Sequence, residues 1–467
     1  MARTLTRDLT EGRPLKLILS FAAPLLFGVL FQQFYSFVDT AIVGRYLGAD
    51  KLAAVGATGS VNFLVIGLCL GLCSGFAIPV AQAFGARDEG EVRRSVFHAA
   101  VLSAALSLVF AVAAALLCRP LLRLMNTPEE IIDDSASYIR IIFAAIPCCI
   151  LYNMAGGILR SLGDSRTPVL FLVMASLINI VLDLFLIIVM KMDVAGAAVA
   201  TAVSQLLAGI GCVVVMVRRF PILRMTREDR RFSLSKAREM LGIGLPMGLQ
   251  FSITAVGSVV VQWSVNGLGV SAVAAVSAAG KLSMFFACIF DALSSTMATF
   301  AGQNIGAKKL DRVHQGLKAA SLVGVVYCLF AFAVVLLFTR PMLSLFIDPD
   351  AAPEVTAMGV RYLAFNAAFY IPLLFVNIVR LSIQGMGFTR VAMFAGLFEM
   401  VARTAVALFL VPVLGFTGAC LANPAAWIAA DIFLFPCYFR TMRTLRMRLM
   451  PGTEPYRRSF RVLKRAA

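Results

Sequence analysis

Long apolar runs alternate with short polar connections from Leu15 to Phe439. Each run holds roughly 20 residues, enough for a helix to cross about 30 Å of hydrocarbon. The runs are continuous and lack the two-residue alternation of membrane barrel strands. They predict an all-α membrane protein of twelve transmembrane helices, at 15–38, 53–78, 96–118, 135–158, 168–190 and 195–217, then 242–263, 275–300, 316–338, 357–383, 391–411 and 417–439. Residues 218–241 are polar, basic and interrupted by Pro221, which suits a linker, and residues 440–467 form a basic tail of amphipathic character.

The polar punctuation repeats. Leu47-Gly48, Ala53-Ala54-Val55, Gln82 with Gly85-Ala86, Arg119-Pro120 and Thr127-Pro128 return 221 residues later as Leu268-Gly269, Ala274-Ala275-Val276, Gln303 with Gly306-Ala307, Arg340-Pro341 and Asp348-Pro349. The chain is therefore expected to form two pseudo-symmetric six-helix lobes, 1–217 and 242–439, with a substrate path between them. Prolines stand inside several runs: Pro24, Pro79, Pro147, Pro246 and Pro372. Each removes a helical N–H and crowds the preceding turn. Pro24 and Pro246 occupy matching places in the first helix of each lobe, where they either shape packing or let the helix bend during transport.

Composition agrees with a membrane class: 60% hydrophobic and 14% charged over 467 residues. The net charge of +17 is placed in every second connection, at 87–94, 160–166, 218–238, 308–318 and the tail. Several of the intervening connections are acidic, with Glu129, Glu130, Asp133 and Asp134, then Asp348, Asp350 and Glu354. This asymmetry predicts a multi-pass protein of the cytoplasmic (inner) membrane with both termini and the linker in the cytoplasm. The basic excess then meets anionic lipid headgroups of the bilayer rather than nucleic acid. The first run follows Arg3, Arg7, Arg13 and Lys16 without a small-residue cleavage site, so it is expected to stay as a helix.

Ten cysteines fall mostly within apolar runs, and only His98 and His314 could join them around zinc, so they are expected to be small buried hydrophobes. Phosphate-loop, HExxH and nucleophile-elbow motifs are lacking, which excludes the common enzyme classes and predicts no cofactor. Uphill transport would have to draw on an ion gradient.

Charges inside apolar runs carry the chemistry, because a carboxylate in hydrocarbon costs several kcal/mol unless protonated, coordinated or hydrated. Asp39 ends the first run, and Asp183 lies in the fifth, four residues after Asn179 on the same helical face. Neutral oxygens are plentiful nearby in sequence: Gln32, Gln33, Tyr35, Ser36, Asn153, Thr201 and Gln205. Two acids among neutral oxygens fit a proton or sodium site, unless Asp183 is a structural pin held by a backbone group. In the second half, Glu399 and Arg403 are four residues apart, where an intrahelical ion pair is easy. Asp291 and Lys281 share the eighth run, about 15 Å apart along the helix, and either could face a cavity and attract a cationic substrate. The 20 Met and 36 Phe could line a soft binding pocket or simply face lipid.

The chain resembles the MATE (multidrug and toxic compound extrusion) transporters of the polysaccharide-flippase superfamily over essentially its whole length. The likeness rests on Pro24-Leu25, Asp39-Thr40-Ala41 with Gly44 and Leu47-Gly48, and Ala81-Gln82 with Gly85-Ala86. It continues through Leu159-Arg160-Ser161-Leu162-Gly163-Asp164-Ser165-Arg166-Thr167-Pro168, Gly302-Gln303-Asn304 with Gly306-Ala307, and Gln384-Gly385 with Gly387. The resemblance implies an antiporter that expels small amphiphilic or cationic substrates against inward H+ or Na+. It further implies a coupling-ion site at Asp39, Asn153, Asn179, Asp183 and Thr201, with Asp39, Asn179 and Asp183 as ligands if the ion is sodium. Gln33, Tyr35, Gln205, Gln250, Asp291, Glu399 and Arg403 are candidates for the substrate cavity. The seventh run carries Gln250 and Gln262 but no acid, a departure that leans toward the DinF-like branch. The protein is expected to act as a monomer. A flippase for lipid-linked sugars is the alternative, with Lys281 and Arg403 as phosphate partners; a membrane-embedded enzyme or receptor scaffold lacks a supporting constellation.

Overall fold

The computed structural model describes residues 8–125, 127–344 and 352–449. Among these residues, ten helices are long and apolar enough to cross a membrane, and two bent pairs bring the count to twelve. The first lobe comprises α1 (Pro14–Leu47), α2 (Ala49–Ala57), α3 (Gly59–Gly85), α4 (Glu89–Leu124), α5 (Ile132–Ala144), α6 (Ile146–Ser161), α7 (Arg166–Leu184) and α8 (Val194–Arg219). The second comprises α9 (Leu234–Asn266), α10 (Val270–Gly306), α11 (Leu310–Leu343), α12 (Pro353–Ala368), α13 (Tyr370–Gly385), α14 (Thr389–Ala405), α15 (Val411–Leu414) and α16 (Phe416–Leu449).

The repeat extends to backbone detail. Most of the described residues with positive φ occur in pairs, Gly48 with Gly269, Arg87 with Lys308, Gly163 with Gly387 and Asp193 with Gly415, at nearly the same spacing as the sequence repeat; Gly12 and Lys191 stand alone. A π-helical turn follows α7 at Phe185–Val189 and another follows α14 at Val406–Leu410. The fourth and tenth spans are each broken, by 44° between α5 and α6 and by 50° between α12 and α13. Pro147 and Pro372 stand at the start of the helix after each break, where a missing N–H is harmless. Pro24, Pro79 and Pro246 sit inside unbroken helices. The lobes differ at the second span, where α2 and α3 meet at Thr58 while α10 runs through.

Each lobe's first helix begins in the other lobe's core. Leu17, Ile18, Phe21 and Leu25 of α1 pack with Phe290, Met297 and Phe300 of α10, and Ala237 and Met240 of α9 join the first-lobe core. Near the ends of α3 and α10 the lobes meet across glycine. A Cβ on Gly85 would stand 1.9 Å from the Gln303 carbonyl, and one on Gly306 would stand 1.9 Å from the Gln82 carbonyl. Gln82 Nε2 donates to the Gly385 carbonyl at 3.0 Å, and Gln303 Nε2 to that of Ser161 at 2.8 Å. Farther along, Gly71 and Gly75 of α3 lie against Gly248 and Gly244 of α9 at spacings that exclude any side chain.

Several details revise the sequence-based boundaries. Asp39 does not end its helix, because α1 runs on to Leu47. The linker is shorter than 218–241: Ser233 caps α9, which starts at Leu234. The linker is also docked, with Asp229 bonded to Arg93 at 2.7 Å and the Ser233 N–H donating to His98 Nε2 at 2.9 Å. Residues up to Leu449 continue α16, while 450–467 of the expected tail, Arg3, Arg7 and the Asp348-Pro349 echo lie outside the described residues.

Candidate ion and substrate sites

The first-lobe site forms where α1, α7 and α8 converge. The C-terminal half of α1, beyond Gly28, packs on α7, the π-helical turn after it and α8, with Val38, Ile42 and Val43 against Ile180, Leu184, Ile187 and Ala197. That placement brings Asp39 to Asp183, whose carboxyls lie within hydrogen-bonding range of one another. Two carboxylates offer only acceptors, so this contact becomes a hydrogen bond only with a proton between them. Asp183 is fully buried. Oδ1 of each acid is buried without a hydrogen-bond partner. Asn179, also buried, donates to Asp183 Oδ2 at 3.2 Å and accepts the backbone N–H of Thr201 at 3.2 Å when its amide is turned to suit its neighbours. No Lys or Arg forms an ion pair with either acid among the described residues.

The other sequence candidates distribute unevenly. Thr201 enters through its backbone N–H. Asn153 spends its amide on Cys149, at 2.8 Å from the carbonyl and 3.4 Å from Sγ, and shows no bond to either acid. Tyr35 flanks the acid pair, as does Tyr138 of α5, which the sequence did not single out. Gln33 is half-buried, and Gln205 on α8 has a buried Oε1 without a partner. Among the described residues no group of three or more His, Cys, Asp or Glu converges as a metal site, so a cation here would rest on two carboxylates and neutral oxygens.

The second-lobe charges assemble differently from the expected i,i+4 pair. Glu399 Oε1 accepts from Arg380 Nη1 at 2.6 Å, whereas its contact with Arg403 is 3.7 Å. The nearer partner comes from α13, a helix away. Arg380 also lies within electrostatic reach of Asp291 on α10 and Asp431 on α16. Arg380 and Asp431 went unnoticed in the sequence, although each is a charge inside an apolar run. Gln250 is buried, and its Oε1 accepts from Gln384 Nε2 at 2.5 Å. Asp291 is exposed on α10.

The motif from Leu159 to Pro168 has a structural reading. Gly163 supplies the left-handed turn after α6, and buried Asp164 caps α7 by accepting the N–H groups of Arg166 and Thr167, each at 3.0 Å.

Comparison with known proteins places this architecture. The MatE family model matches residues 24–185 and again 246–409, one copy per lobe. A probable multidrug resistance protein of Bacillus subtilis (strain 168), YoeA, is 31% identical over 335 residues, 70% of this chain and 72% of that protein. DNA damage-inducible protein F of Escherichia coli (strain K12) is 26% identical over 438 residues, covering 90% and 89%. The solved outward-facing multidrug resistance MATE transporter of the MOP superfamily superposes with a TM-score of 0.88 at 23% identity, over 96% of this chain and 99% of that one, a likeness of fold. With the family model matched in both lobes and a relative above 30% identity, the chain belongs to the MatE family of multidrug-efflux transporters.

Proposed function

We propose that this transporter is a secondary active antiporter, exporting organic cations or amphiphilic drugs across the cytoplasmic membrane against inward H+ or Na+. The observation that carries the reading is the Asp39–Asp183 contact: a half-buried acid against a fully buried one, each with a buried unsatisfied oxygen, and no basic residue paired with either among the described residues. Their mutual repulsion is relieved by a bound proton or cation, which makes the local packing of α1 on α7 depend on occupancy. Since α1 is anchored in the second lobe through Leu17 to Leu25, a change at Asp39 is carried into the lobe junction, with Pro24 near the handover. On this reading the Gly85–Gly306 seam, which lies beside basic connections, faces the cytoplasm, and the protein works as a monomer with its substrate path between the lobes.

The alternative of a lipid-linked sugar flippase calls for cationic groups turned to a phosphate. Arg380 is engaged by Glu399 at 2.6 Å, whereas Arg403, one of the two cations proposed for a phosphate, approaches Glu399 only at 3.7 Å and keeps that reading open. Addition of a lipophilic cation to detergent-solubilised protein tests the antiport reading. Under the proton branch it releases protons into a weakly buffered solution, under the sodium branch it displaces bound Na+, and Asp183→Asn loses the release. Substrate binding that displaces neither ion sinks the proposal.

A further inference from the structure

A set of charges on the outer rim of the first lobe returns in the second. Asp133, Ser137 and Arg140 stand at i, i+4 and i+7 on one face of α5. Arg119 of α4 reaches across to pair with Asp133. These four residues line an open cleft of about 300 Å³ between the two helices, and Arg119, Asp133 and Arg140 are all exposed. The charges do not balance: Asp133 answers Arg119, and no carboxylate lies within ion-pairing distance of Arg140 among the described residues. Adding 221 to each charged position gives Arg340, Glu354 and Arg361, again two guanidiniums and one carboxylate, now on α11 and α12. These helices pack together as α4 and α5 do, and all three side chains are exposed. The helix dipole accounts for an acid in a first turn and for an arginine near a helix end. It accounts for neither Arg140 nor Arg361, each eight residues past the first residue of its helix, about 12 Å along an otherwise apolar run. A cation at that depth costs free energy unless an anion or the headgroup layer meets it.

We propose that each lobe holds the headgroup phosphate of an anionic phospholipid at this place, between Arg119 and Arg140 in the first lobe and between Arg340 and Arg361 in the second. Two guanidiniums against one carboxylate leave a single positive charge per lobe, which a phosphodiester neutralises. The planar fork of arginine suits that partner, because it can bond two phosphate oxygens at once. The arginine stem lies along apolar surface while its head rises toward the headgroups. Three residues before Arg119 and Arg340 stand Leu116 and Leu337, 75% and 73% exposed, which offer the acyl chains an apolar wall. On the orientation proposed above, both places face the outer leaflet. The lipid is a resident of the rim and not the cargo, so the inference needs only a chain embedded in a bilayer and stands apart from the antiport reading.

The test is native mass spectrometry of the full chain in detergent, with phosphatidylglycerol or phosphatidylcholine added. The parent protein should retain two phosphatidylglycerol molecules, each held about tenfold more tightly than phosphatidylcholine. Arg140→Gln and Arg361→Gln should each lose one of them, and the double variant both. Arg123→Gln, which removes an exposed charge one turn farther along α4, should lose neither. A parent that retains the two lipids equally overturns the inference without reference to any variant. So does a double variant that keeps both phosphatidylglycerol molecules. An equal loss in Arg123→Gln marks diffuse surface charge in place of two built sites and also overturns it. Inorganic phosphate that displaces the lipid at matched concentration assigns the guanidiniums to free anions and refutes the lipid as occupant.

Discussion

Replacing Gln303 by Leu should loosen the seam that holds the lobes together. Gln303 is fully buried in α10, where its Oε1 accepts the Leu9 N–H at 2.9 Å and its Nε2 donates to the Ser161 carbonyl at 2.8 Å. Leucine fills similar space and makes neither bond, so two buried backbone groups lose their partners. Each such group costs about 1–3 kcal/mol, which sums to about 2–6 kcal/mol against the closed seam. The lower figure alone shifts the balance between closed and parted lobes about 30-fold, since 1.4 kcal/mol is tenfold. Gln82→Leu loses one cross-lobe bond, to Gly385, and should act about half as strongly. Spin labels on Glu89 at the start of α4 and Asp311 at the start of α11, in a cysteine-free background, report the separation by pulsed dipolar spectroscopy. The longer-distance population should grow at least tenfold in Gln303→Leu. Identical distance distributions in variant and parent refute the reasoning.

Gly85→Val should have an effect in the same direction, since even a Cβ stands 1.9 Å from a backbone carbonyl; overpacking of this kind costs about 1–3 kcal/mol or more, and an unchanged spin-label distance would speak against it. Glu399→Ala strips Arg380 and Arg403 of their shared carboxylate and should cost about 3–5 kcal/mol, seen as a large fall in thermal midpoint, whereas exposed Asp291→Ala should cost far less. Asp229 in the linker is held below the usual carboxylate range, chiefly by the Thr226 backbone N–H, then by the Thr226 hydroxyl and Arg93, against some opposing desolvation. Its contribution is complete above the unfolded value of about 3.9 and fades as pH falls through the lower folded value. Asp229→Asn should therefore lower the thermal midpoint at pH 7, and the gap from the parent should close toward pH 3.

The two-lobe plan was legible because a 221-residue repeat in polar punctuation survives wherever backbone geometry is demanding. Gly48, Gly163, Gly269 and Gly387 stand at left-handed turns, so their recurrence reported structure directly. The left-handed Arg87 and Lys308 gave no such signal, since neither residue type advertises the conformation. Which prolines break their spans was not readable either. Pro147 and Pro372 begin new helices after a bend, while Pro24 and Pro246 are absorbed in long ones, a difference set by neighbouring packing. Asp39 was placed too near the helix end because an apolar run stops at the first polar residues even when they face inward. Its meeting with Asp183 joins helices far apart in sequence, and burial cost alone had marked the two acids as candidates. Glu399 shows the opposite hazard: sequence proximity favoured Arg403, whereas the closer partner, Arg380, arrives from another helix.

The most direct measurement is substrate movement in proteoliposomes with pH and sodium gradients imposed separately, comparing the parent protein with Asp183→Asn. The account predicts that one of the two gradients drives concentrative transport by the parent, and that the variant, still folded and still binding substrate, shows none. Transport by Asp183→Asn at the parent's rate under the same gradient would contradict the role given to the first-lobe acid pair.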